Sequence, residues 1–303
     1  MSSPKITVAL LRGGISAERE VSLASGQAVA QALDPKKFTV KEYDPKKDLP
    51  KLVKDRQKIN LAFLALHGPG GEDGVIQGFL ESLKIPYTGS DVYSSAVAMN
   101  KLTAKNLYKK NKLPIAPDQI CKQPKSPFGY PVVVKIVSGG SSIGVAIVES
   151  EGNLKKFIKK YSNEKIFFEK FIQGTEISVG VLEKENGGIE ALPSIEILPK
   201  QKFFDYQAKY DPKMRAEICP ARLTKSRENK VKNLAIRAHE VLGCCHFSRT
   251  DMIITAGGKI FLLETNTLPG LTKNSLFPKE AQVAGISFEE LCERLVRLAL
   301  LSS

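Results

Sequence analysis

FLLETNTLPGLTKNSL, residues Phe261 to Leu276, opens with three apolar residues that read as a buried strand. The strand ends in two oxygen donors, Glu264 and Asn266. Residues two apart in extended backbone share a face, so both donors point the same way. A second apolar stretch, around Met252 to Ile254, begins at Asp251. Three oxygen ligands on adjacent strands, with no nitrogen or sulfur, suit Mg²⁺ carrying a nucleotide's phosphates better than zinc. Pro269-Gly270 then breaks the strand and exposes backbone N–H groups beside that ion. By themselves these residues read equally well as a strand with a polar end and a Pro-Gly turn.

Working upstream, Arg249 and Asp251 alternate along one strand face, which sets a cation beside a metal ligand, as transferring phosphoryl or oxyanion charge requires. Thr224 to Leu242 reads as an amphipathic helix ending at Gly243. The segment Phe203 to Pro212 is too polar for a core and too aromatic for a linker, and reads as a lid or binding loop. Ile177 to Leu182 and Ile189 to Leu198 form antiparallel strands across an Asn186-Gly187-Gly188 turn. Phe288 to Leu301 is a closing helix.

Further upstream, Val132 to Ile136 is an apolar strand with Lys135 inside it. A buried ammonium is costly unless an anion meets it, although such lysines commonly snorkel to an edge. Ser138 to Gly144 follows as a Gly/Ser hairpin whose N–H and hydroxyl groups, Ser141 and Ser142 included, can wrap phosphate. Neither a G-x-x-x-x-G-K-[ST] nor a G-x-G-x-x-G sequence occurs. Asp91 to Lys112 reads as one helix containing Lys101. Ile166 to Ile172 is a strand whose exit can read an adenine edge, with Glu176 placed for ribose; an ordinary hinge fits the same residues.

The N-terminal third alternates strands (Ile6 to Leu11, Phe38 to Tyr43, Leu61 to Leu66) with helical or polar segments, which implies a small parallel sheet. Ligands of such sheets lie beyond the strands' carboxyl ends. Those ends carry Gly13 to Arg19 and His67 to Gly74. Glu18, taken alone, reads as a helix-start acid favoured by the macrodipole before it reads as a ligand; His67, at a strand end, reads as functional.

The 303-residue chain is 42% hydrophobic and carries a formal net charge of +13. The surplus sits in short lysine clusters, a solvated surface suited to anionic substrates, with no support for nucleic acid. Five unpatterned cysteines fit a reducing compartment. No apolar run approaches the roughly 20 residues of a membrane span, so a cytoplasmic location with no membrane partner is expected.

Seven motifs in order, GGISAEREVSL, ALHGPGGEDG, PYTGS, VVVKIVSGGSSIGV, FDYQAKY, SRTD and LLETNTLPGLTKNSL, resemble the ATP-grasp architecture, and within it the D-alanine–D-alanine ligase family, over almost the whole chain. The resemblance implies an α/β ATP-grasp fold preceded by a Rossmann-like parallel domain, divided at 1–90, 91–173 and 174–303. It implies ATP and two D-alanine molecules as substrates, two Mg²⁺ ions with Mn²⁺ as a substitute, and a homodimer. Lys101 and Lys135 would contact phosphates, with Ser141 and Ser142 in the flap. Glu169, Lys170, Phe171 and Ile172 would take adenine by their backbone, and Glu176 ribose. Asp251, Glu264 and Asn266 would hold the metal ions. Glu18 would bind the first D-alanine's ammonium with His67 close by, in a set with Ser141 and Tyr210. Lys209 would approach the γ-phosphate, Ser275 and the Leu276 backbone would hold the second carboxylate, and Arg249 with the Gly270 N–H would stabilise the oxyanion.

Two departures from the family pattern, Ile136 and Thr265, remove no ligand. Rival readings are another ATP-grasp ligase, such as one joining D-lactate, and a basic nucleotide- or nucleic-acid-binding module without catalysis. Lys209-Tyr210 favours the dipeptide product over the ester. Glu264, Asn266 and Arg249 favour an enzyme.

Overall fold

The computed structural model describes residues 5–121, 124–139, 144–199 and 215–301. Among these residues the strands form three sheets. The first is parallel, with β1 (Ile6–Leu11) between β2 (Phe38–Tyr43) and β3 (Leu61–Leu64). Helices α1 (Arg19–Ala32), α2 (Leu49–Asp55) and α3 (Val75–Ser82) connect and cover it. All four residues of β3 are buried, as parallel sheets covered on both faces require.

The expected single helix from Asp91 to Lys112 is two: α4 (Val92–Met99) and α5 (Lys101–Lys110). Asn100 is extended, and its side chain accepts from the Thr103 N–H as the cap of α5. Lys101 therefore opens a helix instead of lying inside one.

The second sheet is antiparallel, in the order β4 (Asp118–Ile120), β7 (Ile166–Lys170), β5 (Val132–Ile136), β6 (Val145–Val148). Its apolar face packs with α6 (Glu151–Lys160).

The third sheet runs β11 (Arg215–Ile218), β10 (Ile195–Pro199), β8 (Thr175–Glu183), β12 (Phe247–Ile254), β13 (Ile260–Asn266), with β9 (Ile189–Ala191) also on β8. The expected strand from Ile189 to Leu198 is thus split, with Pro193 in the break, where a missing N–H cannot serve the ladder. Gly174 lets β8 start against β12: a Cβ there would lie 2.3 Å from the Ile254 carbonyl oxygen.

Helix α7 (Lys225–Leu242), capped by Thr224 and ended by left-handed Gly243, covers the third sheet together with α4 and α5. Helix α8 (Leu276–Val283) packs on β8, and α9 (Phe288–Leu301) returns to the first sheet, its buried face joining that core. Residues 90 and 174 both fall between sheets, while buried cores draw on residues from either side of each.

Candidate active site

The register of β12 and β13 builds the floor of the site. Asp251 lies opposite Glu264 and Arg249 opposite Asn266, so the four polar groups alternate along one face of a two-strand ribbon. Arg249 donates from Nε and Nη2 to the two Asp251 carboxylate oxygens, each at 2.9 Å. Ser178, on β8, donates its hydroxyl to the same carboxylate at 2.7 Å. Burial alone would lower the Arg249 pKa, but Asp251 at bonding distance raises it above the ordinary arginine value. A carboxylate offers about four lone-pair sites, so Asp251 keeps acceptor capacity for a cation. On the other face Thr265 bonds Thr250 at 2.9 Å and the Tyr108 hydroxyl at 2.7 Å, which anchors the ribbon to α5.

Among the described residues no three His, Cys, Asp or Glu side chains group as a metal site. The donor set of Asp251, Glu264 and Asn266 instead mixes two carboxylates with an amide. Hard oxygen donors of this kind fit Mg²⁺ or Mn²⁺. The Asn266 carbonyl oxygen accepts from the Leu268 N–H at 2.8 Å, which fixes its orientation.

A second ionic cluster stands beside that floor. The Lys135 ammonium donates to Glu169 at 2.9 Å, and Lys105 donates to the other Glu169 oxygen at 2.7 Å. Lys105 also lies 3.7 Å from Asp118 and donates to the Ala116 carbonyl at 3.2 Å. Burial would push the Glu169 carboxyl up, yet the two ammonium groups hold it below its ordinary value. Burial would likewise lower Lys135, and Glu169 and Glu264 raise it instead. Lys101 donates to the Gly139 carbonyl and stands 3.9 Å from Glu264, joining this cluster to the β12–β13 floor. Lys170 is exposed, Phe171 and Ile172 are half-buried, and Glu176 is the second residue of β8, opposite Ile253. Sequence reading missed Lys105, which its spacing of four from Lys101 on α5 could have revealed.

Across the floor, Glu18 caps the start of α1 by position without a side-chain cap bond, and is buried. Gly68, in the left-handed region, presses its backbone on the Glu18 carboxylate, since a Cβ would lie 2.7 Å from Oε2. His67 is buried between the Ser25 hydroxyl at 3.1 Å and Glu72 at 3.4 Å. A cavity of about 630 Å³ runs from Glu18 and His67 past Arg249 to Gly270 and Ser275. Ser275 holds Thr272, its hydroxyl 2.8 Å from the Thr272 hydroxyl, and Leu276 opens α8 directly after it. Ser141, Ser142, Lys209 and Tyr210 lie outside the described residues.

Glu280, unremarked in the sequence, is fully buried on α8, and neither carboxylate oxygen has a well-formed hydrogen-bond partner. It lies over Gly180, which pairs with Arg249 across the β8–β12 ladder. Burial pushes its carboxyl up to about 8.

Antiparallel sheets that hold lysines beside a carboxylate-and-amide floor, joined to a small parallel domain, define the ATP-grasp class. The chain matches the family described as D-ala D-ala ligase C-terminus over residues 96–297 and D-ala D-ala ligase N-terminus over residues 41–90. It is 49% identical to a D-alanine–D-alanine ligase of Syntrophobacter fumaroxidans, covering 99% of each chain. It is 45% identical to that of Geotalea uraniireducens, over 97% of this chain and 96% of the relative. The fold superposes on a Bacillus anthracis D-alanine–D-alanine ligase complexed with ATP with a TM-score of 0.84 at 31% identity, covering 98% of each chain. VanG D-Ala:D-Ser ligase from Enterococcus faecalis gives 0.83 at 28% identity, over 98% of this chain and all of that one. The chain belongs to the D-alanine–D-alanine ligase family.

Proposed function

We infer that the chain joins two D-alanine molecules into D-alanyl-D-alanine at the expense of ATP, releasing ADP and phosphate for peptidoglycan precursor synthesis. The observation that carries this reading is one continuous cavity running from buried Glu18 past Arg249, itself bound to Asp251, to Ser275, with Lys101 3.9 Å from Glu264. Glu18 attracts the ammonium of the first D-alanine, whose carboxylate then faces the floor. Hydroxide is too poor a leaving group for that carboxylate to acylate an amine directly. Its oxygen therefore attacks the γ-phosphorus, the bond to ADP breaks, and an acyl phosphate forms. The amine of the second D-alanine attacks the acyl carbon; inorganic phosphate leaves and the amine's proton is lost. Arg249 and the Gly270 N–H stabilise the oxyanion of that second step. Ser275 and the Leu276 backbone hold the second carboxylate.

Asp251, Glu264 and Asn266 hold Mg²⁺, two ions in this reading, which supplies charge neutralisation for the phosphates. Lys101 and Lys135 bind phosphate oxygens, residues 169–172 the adenine and Glu176 the ribose. Ser141, Ser142, Lys209 and Tyr210 belong to the parts that close over the site and keep water from the acyl phosphate. The three-way division at 90 and 174, a homodimer and a cytoplasmic location complete the reading; among the described residues no helix is long and apolar enough to cross a membrane.

Phosphate release from ATP and Mg²⁺ tests the proposal, with D-alanine alone, L-alanine, or D-alanine mixed with D-lactate or D-serine, and products identified by mass. The expected product is D-alanyl-D-alanine, formed only where D-alanine is present. A mixed ester or a D-serine product made in preference would overturn the acceptor assignment.

A further inference from the structure

Helix α8 carries a second polar group into the cavity. Ser275 stands at its N-cap and Lys279 one turn on, so both side chains leave the same helix face. Both line the cavity, as does Glu217. The Lys279 ammonium donates to Glu217 at 2.5 Å. Glu217 lies in β11 opposite Ile197; its side chain is 11% exposed, against 37% for Lys279. A lysine ammonium has three donors, so pairing with one carboxylate oxygen leaves it able to bind a further anion.

The charge distribution of the cavity gives that capacity a use. Its described lining includes four carboxylates, Glu18, Glu20, Glu72 and Glu217, but only two cations, Arg249 and Lys279. Arg249 is already bound through two nitrogens to Asp251. Among the described residues, a carboxylate entering at the Ser275 end would otherwise meet a neutral hydroxyl and backbone N–H groups in a lining with more carboxylates than cations. We propose that Lys279, held in place by Glu217, is a positioning residue that attracts and orients the carboxylate of the acceptor amino acid. The inference rests on the ligase reading above and deepens its acceptor subsite.

D-alaninamide separates a charge role from a structural one, because it offers the same amine without a carboxylate and can serve only as acceptor. With D-alanine as donor, kcat/KM is measured for each acceptor in the wild-type chain, Lys279→Met and Lys279→Arg. The preference for D-alanine over D-alaninamide should fall about tenfold in Lys279→Met, the size of a lost charge-assisted hydrogen bond, and survive in Lys279→Arg. An equal loss for both acceptors, or an unchanged preference, overturns the proposal. Absence of any dipeptide from the wild-type chain would sink the ligase reading itself, and this inference with it.

Discussion

Two buried ionic clusters shape the site, one beside its floor and one within it, and they distribute their charge differently. Around Glu169 two ammonium groups share one carboxylate, and Lys105 has a further carboxylate, Asp118, at 3.7 Å, so the cluster is a network of four charged groups beside the place where phosphates are proposed to bind. Around Arg249 one guanidinium faces the Asp251 carboxylate at bonding distance, with a second carboxyl, Glu280, buried nearby. Glu280 keeps its proton well into neutral pH, since burial outweighs the attraction of Arg249. The nucleotide side thus offers ammonium groups, each with three donors, to an anion that arrives with the substrate. The acyl side is built to stabilise one that exists only during reaction, so its cation is fixed in advance and balanced.

Substitutions that unbalance each cluster should separate these roles. The largest effect is expected from Arg249→Met: dipeptide formation falls by about a thousandfold with KM for ATP little changed, as steady-state kinetics would register. A comparable rise in the ATP KM would place Arg249 on the nucleotide side and break the contrast. Glu169→Gln leaves two buried ammonium groups with an uncharged partner. Loss of a buried partner costs about 3–5 kcal/mol, readable as a lower denaturation midpoint, and the ATP KM should rise with it. Gly180→Ala drives a Cβ to within 2.6 Å of Glu280 and 2.8 Å of the Phe277 ring. It should cost about 1–3 kcal/mol in chemical denaturation; wild-type stability would show that α8 yields freely.

A further effect distinguishes the clusters by pH. Glu280 ionises near its ordinary 4.5 in the unfolded chain but only at about 8 when folded. Its contribution to stability is full below about pH 4.5 and is lost as pH rises to about 8. Glu169 is shifted the other way, so its contribution is present above about pH 4.5 and lost as pH falls below that. Glu280→Gln should therefore gain stability over the wild type at pH 8 relative to pH 5. Parallel melting curves for the two proteins across that range would contradict the assignment.

The elements that repeat a local pattern were legible in the sequence. The strands Ile6–Leu11, Phe38–Tyr43 and Val132–Ile136 stand where their apolar runs predict. The alternation of Arg249 with Asp251 and Glu264 with Asn266 also anticipates the floor, because period two is a property of any strand. The partners that complete the clusters were not legible. Lys105 meets Glu169 across 64 residues of chain, and Glu280 reaches Gly180 from another helix. Such contacts depend on how layers stack, which no local spacing encodes. Asn100 shows the same limit at short range: a favourable cap divided a pattern that reads as one helix.

The claim that one carboxylate is activated on the lysine side and acylates an amine on the arginine side is tested most directly by following oxygen. D-alanine labelled with heavy oxygen in its carboxyl group is turned over with ATP and Mg²⁺, and the phosphate and dipeptide are analysed by mass. An acyl phosphate transfers one labelled oxygen to inorganic phosphate for each dipeptide made. Unlabelled phosphate formed alongside dipeptide would contradict the account, because the carboxylate would then have been activated without bonding to the γ-phosphorus.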